Sequence, residues 1–591
     1  MSYKWIERKP RTNVNSGTDL LTKLANARGI KKEEVEEHLA PNSSSLLPVE
    51  DMKNAIEASE RIKKAIENDE KILISADNDA DGVTSTAIII RYLRERIALV
   101  NGVETDDDGD VQLTIPYIFA ERDWGHGIEN QLMKKNVEDP DNEERNSNAD
   151  KNIKLVKEAD LLIIVDSSSN DIDTIDKIVN EYGTDVIILD HHALNDPKKT
   201  PNDVGAILVN PQQRGCRYIN KNLSGAGVVY KVVELIESMF DDGLIETEKY
   251  IDLAGVGIYA DMMPMDEPEN RYIVSQALLN IHNMGLERIL KSAKGVNLNN
   301  LSGDTIGFTI APLINGTARM GNIQDAIELL LTDEDKEVKR IRLRMHRANE
   351  ERKTMQKELA EELMQDVDHS GKMIFVVTDK SASGFNGLIA QDIAQKYQKP
   401  VFVGRLKNGE IHGSARTYGG VKLKTFFEDS GLVLYASGHE GALGIGFKES
   451  QFDLIKEYVE EHGESPKVKE RLMFYDIHLD STEVLDAIDL VESFNHITGI
   501  NCPKILVRVD DLMVNERKVL GANLNTVKFS TMDEIDLIKF RVDEEYADEV
   551  GIMDTISVVG ELKWNEWTKF RPVYEVIRTI QVMINDYKLE E

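Results

Sequence analysis

Residues 72–82 read ILISADNDADG: an apolar run, then Asp77, Asp79 and Asp81 at alternate positions, then glycine. A short, unbroken apolar run that ends in a polar turn is the pattern of a strand covered on both faces, as in a parallel sheet. The acids behind it pose a physical problem, because like charges held so close repel one another. A cation, a turn open to water, or both must compensate. The same pattern recurs along the chain in KILISA (71–76), VQLTIPYI (111–118), ADLLIIVD (159–166), TDVIILD (184–190) and AILVN (206–210). Helical stretches fall between and after these runs, over 82–97, near 170–181 and 224–240, and over 247–260 and 268–285. Strands alternating with helices predict an α/β unit built on a parallel sheet.

Farther out, residues 1–60 read as polar and helical, with an amphipathic stretch at 20–40. Residues 334–366 contain neither Gly nor Pro and are dense in Glu, Lys, Arg and Met, which predicts one long helix of about 45 Å. A second α/β unit starts at KMIFVVTD (372–379), continues through a helix near 385–397 and the strand PVFVG (400–404), and ends near 464. From 471 onward, short strands with little helix predict a small barrel or sandwich.

The chain has 591 residues, a hydrophobic fraction of 41% and a net charge of −34. No apolar run approaches the roughly 20 residues of a membrane span. The N-terminus MSYKWIERKPRTN is polar, and the only cysteines are Cys216 and Cys502. These features predict a cytoplasmic protein without disulfides or a membrane association. The acidic balance argues against a uniformly basic nucleic-acid binder. Local patches decide binding, however, and much of the acid lies in stretches such as ETDDDGD (104–110) and EDPDNEE (138–144), which read as exposed loops.

Ligands in open α/β sheets sit beyond the carboxyl ends of the strands. Asp77, Asp79 and Asp81 follow one strand, Asp166 ends another, Asp190, His191 and His192 follow a third, and Asp261 ends the apolar stretch LAGVGIYA. Any one such Asp is by itself an ordinary cap or turn residue. The set is different, because so many converging acids need a cation. Carboxylate and imidazole donors without clustered Cys suit Mn²⁺ or Mg²⁺, and their number suits two ions. Two ions about 3.5–4 Å apart activate a water and clamp a phosphoryl oxygen, so the residues themselves predict a two-metal hydrolase of phosphoesters or phosphoanhydrides.

DNDADG, the Asp166 of IIVDSSS, LDHHAL and GIYADMMPM, in this order, resemble the motifs of the DHH phosphoesterase superfamily. The resemblance implies Asp77, Asp79, Asp81, Asp166, His191 and Asp261 as metal ligands, with Asp166 bridging. It implies that Asp190 orients the imidazole and that His192 contacts the scissile phosphate, so that Asp166, Asp190 and His192 form the catalytic set. INGTARMGN (314–322), HGSART (412–417) and ASGHEGALGIGF (436–447) extend the resemblance to the RecJ family of single-strand-specific 5′→3′ DNA exonucleases. That family implies substrate phosphate contacts from Asn315, Arg319, Ser414, Arg416 and His439, together with Arg122 and His126 of RDWGHG (122–127). It also implies an N-terminal helical segment (1–60), a DHH catalytic domain (61–330), a connecting long helix (331–370), a DHH-associated domain (371–465) and an OB-type β-barrel (466–591). The expected substrate is single-stranded DNA cut to 5′-mononucleotides in repair, recombination or replication. A helicase or single-strand-binding protein is the expected partner, and the multidomain build favours a monomer. The sequence departs from the family in Ser167 and Ser168 after Asp166, in His126 where an aromatic residue is common, and in Ser437 where glycine is usual.

A polymer substrate fits a chain that adds a long helix, a phosphate-holding unit and a barrel to one metal site. Arg340, Arg344 and Arg347 share a helical face that could line a channel, or belong to a solvated, salt-bridged helix. Trp564 and Trp567 could stack on bases or pack in the barrel. Two other readings share some of these features: a small-substrate DHH phosphoesterase acting on oligoribonucleotides, bisphosphate nucleotides or cyclic dinucleotides, and a catalytically silent DNA-binding scaffold of replication.

Overall fold

A computed structural model of the chain describes residues 3–9, 19–102, 113–121, 124–133, 143–365, 367–378, 383–463, 472–521, 524–542, 545–569 and 575–590. The first sheet is parallel throughout, in the spatial order Tyr117–Ile118, Ile72–Ser75, Leu161–Val165, Asp185–Leu189, Ile207–Val209. Every residue of Ile72–Ser75 and Leu161–Val165 is buried, as an unbroken apolar run requires. Side chains alternate between the faces of a strand, so these runs feed two cores. Ile72, Ile74, Ile163 and Val165 pack under the helices Ala55–Glu67, Ala80–Asn101, Gly225–Phe240 and Ile251–Ala260. Leu73, Leu162 and Ile164 pack on the other side with Ile128, Val156 and Ile175. Each such aliphatic side chain contributes about 1.5–3 kcal/mol by leaving water, which makes this sheet a firm platform.

The strand order places the function. The chain leaves Ile72–Ser75 for Tyr117–Ile118 on one side, then crosses to build Leu161–Val165 and its successors on the other. The reversal opens a crevice between the carboxyl ends of Ile72–Ser75 and Leu161–Val165, where open sheets of this kind bind ligands. Asp77 and Asp166 stand at its two lips.

The helix Asp335–Gln365 runs 31 residues, close to the predicted range. The second sheet has the order Tyr435–His439, Ala442–Lys448, Glu410–Arg416, Val401–Lys407, Ile374–Val377, and only its last pair is parallel. It is therefore a mixed sheet, flanked by Ser383–Tyr397 on one face and by Leu423–Ser430 and Phe452–His462 on the other. In the third sheet, Val507–Leu520, Thr526–Thr531, Ile535–Phe540, Glu575–Leu589 and Thr555–Lys569 pair in succession, and Thr555–Lys569 pairs again with Val507–Leu520. The pairing closes a ring of five strands.

Several expectations change. Residues 1–60 are not uniformly helical: Lys4–Glu7 is a strand paired in parallel with Leu472–Tyr475, and Leu24, Ala25 and Val35 enter the core of the third sheet. The strand expected over 111–118 is confined, among the described residues, to Tyr117–Ile118. The β-rich terminal region holds a twelve-residue helix, Val484–Asn495. On the long helix, Arg344 is neutralised by Asp325 and Arg340 pairs with Glu337, which favours the salt-bridged reading of that face. Trp564 donates from Nε1 to Asp489 (2.7 Å) and packs against the core of the third sheet, so its indole is engaged within the protein; the side chain of Trp567 lies outside the described residues. No helix among the described residues is long and apolar enough to cross a membrane.

Candidate metal centre

Three acids follow one strand because each is turned in a different direction. Asp79 is extended (φ −133°, ψ −172°) and caps the helix Ala80–Asn101, accepting from the N–H groups of Asp81 (3.1 Å) and Gly82 (3.2 Å). Asp81 points across to the start of the next helix. Its Oδ1 accepts from Ser224 Oγ (2.9 Å) and Ala226 N–H (3.0 Å), and its Oδ2 from Gly225 N–H (2.7 Å). Asp77 turns the opposite way, with Oδ2 lying 2.7 Å from His126 Nδ1. Helix N-termini carry partial positive charge and unsatisfied N–H groups, and Asp79 and Asp81 each accept from such groups, Asp81 also from the Ser224 hydroxyl.

Asp166 follows Leu161–Val165 with φ +58°, an uncommon backbone for a residue other than glycine, and it is buried. Strain of this kind persists only where the surroundings impose it, and it points to a functional site. Asp166 lies against the start of Gly225–Phe240: a Cβ on residue 225 would stand 2.4 Å from Asp166 Oδ1, so only glycine leaves room there. His191 Nε2 is 3.2 Å from Asp166 Oδ1, 3.4 Å from Asp261 Oδ2 and 3.8 Å from Asp81 Oδ2. Asp166 Oδ1 and His191 Nε2 are both buried and make no hydrogen bond among the described residues. Leaving two buried polar atoms unsatisfied is costly, and a cation between them removes the cost.

The six residues predicted as ligands fall into two trios whose donor atoms lie within 4.8 Å of one another: Asp77, Asp79 and Asp166, and Asp81, His191 and Asp261. The 3.2 Å approach of Asp166 to His191 joins them. Burial, then the surrounding carboxylates, push the Asp166 proton affinity far above the usual range and that of Asp261 up to about 8. Burial and Asp79 raise Asp81 as well. Burial pushes His191 toward its neutral form, the form that ligates metal.

Asp190 plays a different part from the one expected. It is fully buried, and its Oδ1 accepts from the N–H groups of His191 (2.7 Å) and His192 (3.2 Å) and stands 2.8 Å from His192 Nδ1. Its Oδ2 accepts from Ser169 N–H (3.0 Å). The ring it orients is that of His192, not of His191. Asp190 raises the His192 pKa to about 10, against the opposing effect of burial. Burial works to raise Asp190, but the His192 charge prevails and holds this carboxylate below its ordinary range. The result is a stable imidazolium whose side chain is 55% exposed at the rim of the cluster.

Asn315 also reaches this rim, accepting from Ala80 N–H (3.0 Å); Arg319 ends the same helix one turn later. Ser414, Arg416 and His439 belong to the second sheet. Arg416 pairs with Ala442, which pairs with His439, and Ser414 pairs with Gly444, which pairs with Ser437. Directly opposed residues point to the same face, so Ser414, Arg416, Ser437 and His439 flank a floor of Gly444 and Ala442. Arg122 lies outside the described residues. His126 meets Asp77, a contact with the cluster that was not expected. Sequence reasoning also missed Ser224 and Gly225, although LSGAGVVY carries a capping serine and small residues just before an apolar helix.

Residues 71–258 match the model of the DHH family, N-terminal domain. The single-stranded-DNA-specific exonuclease RecJ of Bacillus subtilis (strain 168) is 27% identical over 560 residues, covering 92% of this chain, and the chain spans 64% of that protein's length. A putative SPbeta prophage-derived single-strand DNA-specific exonuclease of B. subtilis, YorK, is 26% identical over 609 residues, covering 95% of this chain and 97% of its own. The crystal structure of RecJ in complex with Mn²⁺ from Thermus thermophilus has the same fold, with a TM-score of 0.72 at 22% identity over 97% of this chain and 76% of that one.

Proposed function

We propose that this chain, which is RecJ-like and carries a DHH domain, is a metal-dependent exonuclease of single-stranded DNA that works 5′→3′ and releases 5′-mononucleotides. The observation that carries the reading is the pair of trios, one of three acids and one of two acids and a histidine, meeting at Asp166 and His191, whose facing buried atoms lack any hydrogen bond among the described residues. Carboxylate oxygens with one imidazole nitrogen are donors suited to Mn²⁺ or Mg²⁺. Asp77, Asp79 and Asp166 would hold one ion, and Asp81, His191 and Asp261 the other. Bound there, the ions would supply a water of lowered pKa and neutralise phosphate charge.

The protein's own groups do the rest. The His192 imidazolium, held in place and kept charged by Asp190, donates to a non-bridging oxygen of the scissile phosphate and steadies the charge that develops on it. Asn315 and Arg319 present polar groups from the neighbouring helix to the next stretch of strand. The glycine-floored face between Ser414, Arg416 and His439 seats a phosphate farther along, and the ring of five strands, read as an OB-type barrel, holds the single strand by stacking. In this reading 61–330 is catalytic, 331–370 connects, 371–465 holds phosphate and 466–591 binds the strand.

The test is digestion with Mn²⁺ of single strands labelled at either end, with and without a 5′-phosphate, beside a duplex and an RNA of the same sequence. The expected outcome is release of mononucleotides from the 5′ end of single-stranded DNA, abolished by Asp166→Ala. Cleavage confined to dinucleotides or cyclic dinucleotides would replace the polymer reading, and undiminished turnover in Asp166→Ala would remove the two-ion assignment.

A further inference from the structure

Within its trio, Asp77 has one carboxylate oxygen met by the imidazole of His126. His126 Nδ1 stands 2.7 Å from Asp77 Oδ2, and the His126 side chain is 54% exposed. His126 lies in a tight turn, between Gly125 (φ +105°) and Gly127 (φ +80°). The turn is pinned on both sides. Asn78, next to Asp77, donates to Gly125 O (2.9 Å), and Ser168 Oγ accepts from Ile128 N–H (2.8 Å). A Cβ on residue 127 would come within 2.5 Å of Asp171 Oδ2, so the turn sits directly on the loop that follows Asp166.

Ser168 itself has φ +74°, which costs a residue other than glycine. Its hydroxyl returns something for that cost, because it fixes the turn that delivers His126. Both lips of the crevice therefore converge on this imidazole: the Asp77 lip through Asn78, and the Asp166 lip through Ser168.

We propose that His126 is a positioning residue of the metal centre, holding Asp77 through Nδ1 so that the carboxylate faces Asp79 and Asp166, with Ser168 holding the turn from below. A group that orients a metal-binding carboxylate typically controls affinity by about 10–100-fold. The inference rests on the metal reading given above, and its test separates the two.

Mn²⁺ binding to the full-length chain, without substrate, is measured by the loss of the free-ion electron paramagnetic resonance signal. His126→Phe is expected to weaken one class of Mn²⁺ sites about 10-fold and to leave the other unchanged. His126→Gln, which retains a donor, should recover most of that loss, and Ser168→Ala should weaken the same class by less. Thermal melts in EDTA show whether each variant is folded, and His126→Gln carries the test if His126→Phe is not. An unchanged isotherm in His126→Phe, with binding lost in Asp166→Asn, overturns the role of His126 alone. Loss of one whole class of sites in His126→Phe that excess Mn²⁺ does not restore makes His126 a direct ligand and also overturns the positioning role. Unchanged binding in Asp166→Asn removes the metal reading itself.

Discussion

At the scale of single residues, the site works by giving similar side chains opposite assignments. Asp190 and Asp166 are both buried aspartates that directly follow strands of one sheet. Asp190 is surrounded by donors and stays an anion, whereas Asp166 is surrounded by acids and resists ionisation until a cation arrives. His192 follows Asp190: its charge is secure below its raised pKa of about 10 and is lost only as pH rises through that value. Asp190→Asn removes the anion, and the His192 pKa falls back toward the ordinary value of about 6.5. Turnover at pH 8 should then drop roughly 25-fold more than turnover at pH 6, and a pH–rate profile reads the displaced alkaline limb. A variant with an unmoved limb would mean that His192 does not act as a cation. The acids and histidines of this set were legible because polar residues behind buried runs stand out in a sequence. Which group each one touches was not legible, since the 2.8 Å contact of His192 with Asp190 and the 2.7 Å contact of His126 with Asp77 depend on turn geometry that spacing does not encode.

At the scale of elements, the helix Gly225–Phe240 matters as much as any strand. Its first turn donates to Asp81 from Gly225 and Ala226, and Ser224 both caps it and donates to the same carboxylate. Gly225 also leaves the space that Asp166 fills. Gly225→Ala puts a methyl group within 2.4 Å of Asp166 Oδ1, so the carboxylate must swing out of the cluster. Overpacking of this kind costs about 1–3 kcal/mol of stability. The larger expected effect is on the ions: Mn²⁺ affinity should fall at least 10-fold while the thermal midpoint in EDTA moves by a few degrees. Calorimetric titration beside melting curves checks both, and normal affinity would show that Asp166 tolerates displacement. The buried strands of the first sheet were legible because an apolar run covered on both faces has few alternatives. The helix Val484–Asn495 was missed because it is short and lies among strand-rich segments whose apolar residues mask its period. The parallel pairing of Lys4–Glu7 with Leu472–Tyr475 joins segments too distant in sequence for any local pattern to report.

At the scale of the whole molecule, an N-terminal and a C-terminal segment meet beside the helix that ends at Asp261. Arg271 is buried, and it donates to the carbonyls of His38 (2.5 Å), in the N-terminal segment, and Ile497 (2.8 Å), in the C-terminal one. Met265, four residues beyond Asp261, donates its N–H to Ile500 O (3.0 Å). The C-terminal region therefore supports the loop that follows Asp261, and cutting it away is expected to disturb the candidate site. His38 stands at this junction beside the Phe494 ring (centroids 5.9 Å apart), and its Nε2 is buried without a hydrogen-bond partner among the described residues. Burial first, then the Arg271 and Arg28 charges, depress its pKa from 6.5 to about 3. The unfolded chain takes up a proton on this imidazole below about pH 6.5, whereas the folded chain refuses it until about pH 3. Stability from this group is thus complete above pH 6.5 and drains away as pH falls, by at most about 1.4 kcal/mol per pH unit. Melting curves of the parent and of His38→Phe, taken in EDTA between pH 7.5 and 5, should diverge: the parent loses stability on acidification more steeply than the variant, because only the parent has this imidazole to protonate on unfolding. Parallel curves would mean that the junction accommodates a charged imidazole, and that the two ends of the chain are held by Arg271 and apolar packing without a pH-sensitive component.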